Sequence, residues 1–126
     1  MSNYFIIEDR LPSLNDYINA CRTNQYKGAS FKKKVESLIS TYIQIGKVTK
    51  KLTPTDKPIK VHFEWHEKTK RRDADNVASA KKFILDAMQT SGIIPNDNRR
   101  YVKGFTDDVI DDTKDYVVVK IEEIKL

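Results

Sequence analysis

Ile59-Lys60-Val61-His62-Phe63-Glu64-Trp65-His66 runs on, past Glu67, into Lys68-Thr69-Lys70-Arg71-Arg72 and then Asp73-Ala74-Asp75-Asn76. The first eight residues alternate. Ile59, Val61, Phe63 and Trp65 share one face and Lys60, His62, Glu64 and His66 the other, the period of a strand buried on one side. After the acids the period changes: Val77, Ala80, Ile84, Ala87 and Met88 recur at helical spacing, and Gly92 is placed to cap that helix. A strand therefore hands over to a helix at a junction that holds four basic residues in five positions and two carboxylates.

Ionised Asp73 and Asp75 disfavour each other's charge unless a cation sits between them. Mg²⁺ takes hard oxygen ligands, usually one or two carboxylates plus water and phosphate oxygens, so an Asp-x-Asp pair beside cations has the make-up of a metal site aimed at phosphate. Pro95 and the Asn96-Asp97-Asn98 run form a loop after the helix. If the return runs antiparallel to the helix, Asp97 becomes a third convergent carboxylate. The competing explanation is capping, since Asp and Asn favour helix N-caps and acids suit a helix N-terminus. Asp97 has no capping role for the preceding helix, which sets it apart.

Working outward, Tyr4 to Ile7 predicts a short strand, and Leu11 to Arg22 a turn and a brief helix. A longer helix is expected from about Ala29 or Ser30, with a stripe of Phe31, Val35, Leu38, Ile39 and Tyr42, stopped by Gly46. Downstream, Tyr101 to Thr106 predicts a strand, Asp107, Asp108, Asp111 and Asp112 an acidic hairpin tip, and Tyr116 to Ile121 a final strand. Those four acids form a rival metal cluster, but solvated carboxylates are the default in a turn without adjacent cations. His62 and His66 lack the second histidine or cysteine spacing that zinc needs. The pattern as a whole predicts an α+β domain with a mixed or antiparallel sheet of about four strands and two main helices on one side.

With 126 residues, the chain has the length of one domain, spanning 1–126. Its net charge of +5 and pI near 9.2 favour an acidic partner. Lys32 to Lys34, Arg22 and Lys27 have the charge for a DNA-facing surface, although helix lysines ordinarily face water. Lys70, Arg71 and Arg72 abut the acids and are the better phosphate candidates. A single Cys21 excludes an intrachain disulfide framework, and without a signal peptide or long apolar run a cytoplasmic protein with no membrane partner is expected.

Arg71-Arg72-Asp73-Ala74-Asp75-Asn76, then Lys82 and Asp86-Ala87-Met88, then Gly92 and Asn96-Asp97, resembles the RusA-like Holliday-junction resolvases, small Mg²⁺-dependent endonucleases of phages and prophages. The resemblance covers roughly residues 57 to 106, with an N-terminal echo in Leu11-Pro12-Ser13-Leu14-Asn15-Asp16-Tyr17. It implies that Asp73, Asp75 and Asp97 are metal ligands for Mg²⁺, or Mn²⁺ in its place, and that Lys82 is a catalytic lysine acting on phosphate charge or the leaving oxygen. Three more residues separate Asp75 from Lys82 than in the shortest family members, nearly one helical turn. Lys81, one position round the helix, is the substitute for that role. Lys70, Arg71 and Arg72, with Asn76 and Lys81, would position the DNA backbone. The implied activity is Mg²⁺-dependent cleavage of four-way junctions in recombination and repair, in a bacterial or phage-infected cell. Symmetric cutting calls for a homodimer. A nuclease acting on flaps or forks, and a non-catalytic protein that binds DNA shape, remain the alternatives.

Overall fold

The computed structural model describes residues 3–125. β1 (Asn3–Ile7) leads through α1 (Leu14–Thr23) and α2 (Gln25–Val48) to β2 (Ile59–Glu67); α3 (Ala74–Ala78) and α4 (Lys81–Thr90) then carry the chain to β3 (Val102–Asp111) and β4 (Tyr116–Glu123). The strands form one mixed sheet in the order β1-β4-β2-β3. β4 is antiparallel to both β1 and β2, and β3 is parallel to β2. The α+β class and the mixed four-stranded sheet are those the periodicities predict.

β2 organises the core. Its alternation holds, with Ile59, Val61, Phe63 and Trp65 each no more than 2% exposed. Register aligns Phe5, Val119 and Phe63 in one row and Ile7, Val117 and Trp65 in the next, so a continuous apolar face crosses three strands. Val35, Ile39 and Ile43 of α2 and Phe83, Ile84 and Met88 of α4 complete that core. Each such side chain contributes roughly 2 kcal/mol by leaving water. A parallel β2–β3 pair needs a long crossover, which residues 68–101 supply through α3 and α4. The crossover leaves from the carboxyl end of β2, the edge where open α/β sheets bind their ligands.

Three elements differ from expectation. The acids 107, 108 and 111 lie on β3 itself, and β3 does not pair with β4, so there is no acidic hairpin tip. Charges suit β3 as an edge strand, whereas Val117, Val119 and Ile121 suit β4 as an inner one. The helix expected to start at the acids is broken into α3 and α4. Ser79 Oγ donates to the Asn76 carbonyl at 2.6 Å and accepts from the Leu14 amide at 3.0 Å, and the chain tightens there to three-residue bonds such as Phe83 N–H to the Ala80 carbonyl, 3.0 Å.

α2 starts earlier than expected, because Asn24 accepts the Lys27 amide at 2.8 Å and caps it. Nor does Gly46 stop it. A Cβ there would meet Leu52 Cβ at 3.0 Å and Phe5 Cβ at 3.1 Å, so this glycine permits close packing. The chain leaves α2 through Lys50, at φ 63°. Lys50 N–H and Lys51 N–H reach the carbonyls of Lys47 and Gly46, both at 3.0 Å, a Schellman closure. Gly92, at φ 75°, closes α4 in the same way, as expected for that residue. A lysine in the left-handed region costs about 1 kcal/mol that a glycine does not.

Candidate active site

Asp73 and Asp75 sit where β2 has ended and α3 begins. Asp73 occupies the N-cap in extended conformation (φ −68°, ψ 155°), and its carbonyl accepts from Val77 N–H at 3.0 Å. Its side chain makes no capping bond. Among the described residues, Asp75 Oδ1 accepts only the adjacent Asn76 amide, at 2.9 Å. Both residues are exposed. Capping therefore uses the backbone of Asp73 and leaves its carboxylate unspent. Four hard oxygens on two exposed acids, with one lone-pair direction engaged, fit a divalent ion that retains several waters.

Asp97 is placed differently. The return segment runs back beside α4, and Asp97 N–H donates to Gln89 Oε1 at 3.2 Å. Asp97 Oδ2 meets Lys82 Nζ at 3.3 Å, and the same ammonium contacts Asp86 Oδ1 at 3.1 Å. Asp86 also faces Lys32 of α2 at 3.7 Å. As the side chains stand, Asp97 belongs to a lysine bridge. Among the described residues no three His, Cys, Asp or Glu side chains are grouped closely enough to hold one ion. Lys82 is held above its ordinary pKa, first by the hydrogen bond to Asp86 and then by Asp97, with desolvation opposing. It is a permanent cation at neutral pH and suits charge neutralisation, not proton abstraction.

The basic run splits by direction. Lys70 is 79% exposed and lies 3.7 Å from Asp111. Arg71 is also exposed. Arg72 turns inward instead. Its Nε and NH2 reach Glu67 Oε1 at 3.1 and 2.8 Å, and its NH1 reaches the Leu11 carbonyl at 3.1 Å. Both side chains of that pair are nearly buried, 11% and 7% exposed. Lys81 is likewise committed: its ammonium pairs with Asp107 and lies 5.1 Å from the Phe105 ring centroid and 5.7 Å from that of Phe63. Asp107 in turn accepts Trp65 Nε1 at 2.9 Å. Arg72 and Lys81, both expected at the DNA backbone, are held in ion pairs within the chain as the side chains stand, Arg72 with Glu67 five residues earlier and Lys81 with Asp107 on β3. Asn76 accepts Asn15 Nδ2 at 3.4 Å.

Two contributors have roles that the sequence pattern does not assign. Glu67 is a 6% exposed acid that orients the loop to Asp73 through Arg72. Its signal is position: a carboxylate closing an apolar strand and followed by cations. Asp86 steadies Lys82, and its i,i+4 spacing on a helix is the available clue. The Leu11–Asn15 segment also acquires a role, joining Arg72, Asn76 and Ser79 by hydrogen bonds from the far end of the sequence.

The sequence profile of the family described as Endodeoxyribonuclease RusA matches residues 3–122 of the 126. The chain belongs to the RusA family of endodeoxyribonucleases. No curated protein matches it. Among the described residues no helix is long and apolar enough to cross a membrane.

Proposed function

From membership of this nuclease family, and from the unspent carboxylates at the carboxyl end of β2, we propose that the chain is a single-domain, Mg²⁺-dependent endonuclease that resolves four-way DNA junctions as a homodimer. The observation that carries the proposal is Asp73 and Asp75, exposed and, among the described residues, without side-chain ion pairs, beside the exposed cations Lys70 and Arg71. Asp97 is the third carboxylate of the proposed ligand set. A divalent ion, when bound, lowers the pKa of a coordinated water and offsets charge on the phosphodiester under attack; Mn²⁺ fits the same oxygen donors.

The chain's own residues divide the remaining work. Lys70 and Arg71 draw the phosphate backbone to the loop without reading bases. Glu67 and Arg72 hold that loop in place, so the acids are presented from a fixed support. Lys82, kept cationic and on station by Asp86, neutralises charge that develops on the phosphate oxygens or the leaving oxygen. A junction has two-fold symmetry, and paired cuts require two sites related by the same axis.

The deciding experiment incubates purified protein with a labelled synthetic four-way junction, with and without Mg²⁺, alongside flap, fork and linear duplex substrates. Paired, symmetric incisions in the junction that depend on Mg²⁺ are expected. Faster cutting of flaps or forks would reassign the substrate, and tight binding with no incision in either Mg²⁺ or Mn²⁺ would leave a shape-binding protein.

A further inference from the structure

At the opposite end of β2 from Asp73 lies an open groove of about 1140 Å³ bounded by the exit of α2, the loop into β2 and the end of β4. Lys50, Lys51, Lys57, Lys120 and Lys125 line it, against Glu122 and Glu123. The acids are partly engaged: Glu122 bonds His62 Nε2 at 2.9 Å, and Glu123 accepts the Thr55 hydroxyl at 2.8 Å. Lys32 and Lys82 are neutralised on Asp86 and Lys81 on Asp107, while Lys27, Lys33 and Lys34 of α2 do not line this groove. Lys120 is paired with Glu64 at 2.7 Å. Among the described residues Lys50, Lys51, Lys57 and Lys125 have no such ion pair, and all four are exposed.

Lys50 adds an independent observation. It occupies the left-handed closing position of α2 at φ 63°, where α4 uses Gly92. A positive charge is favourable near a helix C-terminus, but Lys47 already stands in the last turn and binds the Ser91 carbonyl at 2.8 Å. Backbone strain accepted at a residue whose charge faces a cationic groove points to use of that charge.

We propose that this groove is a second phosphate-backbone site, which grips a duplex arm of the branched DNA away from the scissile phosphate. The proposal rests on the reading of the chain as a branched-DNA nuclease. β2 spans about 26 Å at roughly 3.3 Å per residue. At about 3.4 Å per nucleotide along one strand, that places the groove about eight nucleotides from the acidic pair. Its contacts are to phosphates, so they add affinity and salt dependence and carry no sequence preference.

The test compares wild type, Lys50→Gly, Lys50→Arg and the triple variant Lys50→Gly/Lys57→Gln/Lys125→Gln. Anisotropy titrations on a four-way junction without Mg²⁺ are run across a salt series, with melting curves and single-turnover cleavage at saturating protein. Lys50→Gly is expected to melt about 2 °C higher while binding about threefold more weakly, opposite signs that misfolding cannot produce. Lys50→Arg keeps wild-type affinity. The triple variant binds at least about tenfold more weakly, with a salt slope flatter by roughly 2 to 3, and cleaves pre-bound junction at the wild-type rate. Its defect disappears on junctions whose arms are cut to about 5 base pairs, too short to reach the groove. A triple variant with wild-type affinity and slope, or a defect that persists on short arms, overturns the second site. A wild-type protein that neither binds nor cuts junctions overturns the nuclease reading instead, so the two failures are distinct.

Discussion

Asp73 and Asp75, which follow β2, and Asp107, Asp112 and Asp115, in and just after β3, look alike in the sequence, but their side chains are used in opposite ways. Asp107 is bonded to Trp65 and Lys81, and Asp112 to His66, Thr113 and Tyr116. Asp115, just beyond, accepts the Lys68 amide at 2.7 Å. These carboxylates tie strands and loops together. Asp73 has no capping bond and, among the described residues, Asp75 holds only its neighbour's amide. The difference lies in supply. Asp107 sits beside β2 and α4, where Trp65 and Lys81 offer it donors, whereas the start of α3 faces solvent. A carboxylate left without partners beside exposed cations is available for chemistry; one with its oxygens filled is part of the scaffold.

The largest expected effect separates the two groups outright. Asp75→Asn should lower junction cleavage by about 10³-fold or more while leaving binding equal or tighter, since a negative charge facing phosphate is lost with the ligand. Asp107→Asn should retain most of the single-turnover rate per folded molecule. Equal losses from the two substitutions would erase the contrast.

The buried pair behind the site comes next. Glu67→Ala leaves Arg72 buried without its carboxylate and should cost about 3 kcal/mol, a drop in Tm on the order of 10 °C. Asp73→Ala, by contrast, should stay within about 0.5 kcal/mol of wild type by denaturant titration. Lys82→Ala should slow cleavage of pre-bound junction by about 10²-fold with affinity little changed, the mark of a transition-state contact. An unchanged rate would make it a solvated helix residue.

Arg71→Ala should weaken junction binding a few-fold and flatten the salt slope by about one, while Arg72→Ala should lower Tm instead. Matching behaviour of the two would contradict their opposite directions in the structure. The smallest effect is a pH dependence on the scaffold side. The Thr113 amide first, and then His66, hold the Asp112 carboxyl below its ordinary value. A depressed carboxylate stabilises the fold above the unfolded pKa of about 3.9, and that contribution is lost as pH falls through the lower folded value. Tm should therefore fall more steeply below about pH 4 in wild type than in Asp112→Asn.

The sequence by itself determined what local periodicity and local cap chemistry can carry. The alternation of Ile59 to Trp65 specified β2 and its buried face, Gly92 specified the end of α4, and Asp73 to Asn76 marked the strand-to-helix junction where the unspent acids lie. Each of these signals is contained within a few neighbouring residues. Tertiary structure decided the rest. β4 inserts between β1 and β2 because its apolar residues suit an inner strand, which leaves acidic β3 on the edge. Ser79 breaks the helix because Leu14, far away in sequence, offers its amide. Lys50 ends α2 where Gly46 was expected to, because Phe5 and Leu52 close in on that glycine. Arg72, Lys81 and Asp97 turned to Glu67, Asp107 and Lys82, partners five to 26 residues distant. A charged side chain takes the counter-charge that folding brings within reach, and the one-dimensional pattern records only that the charge is there.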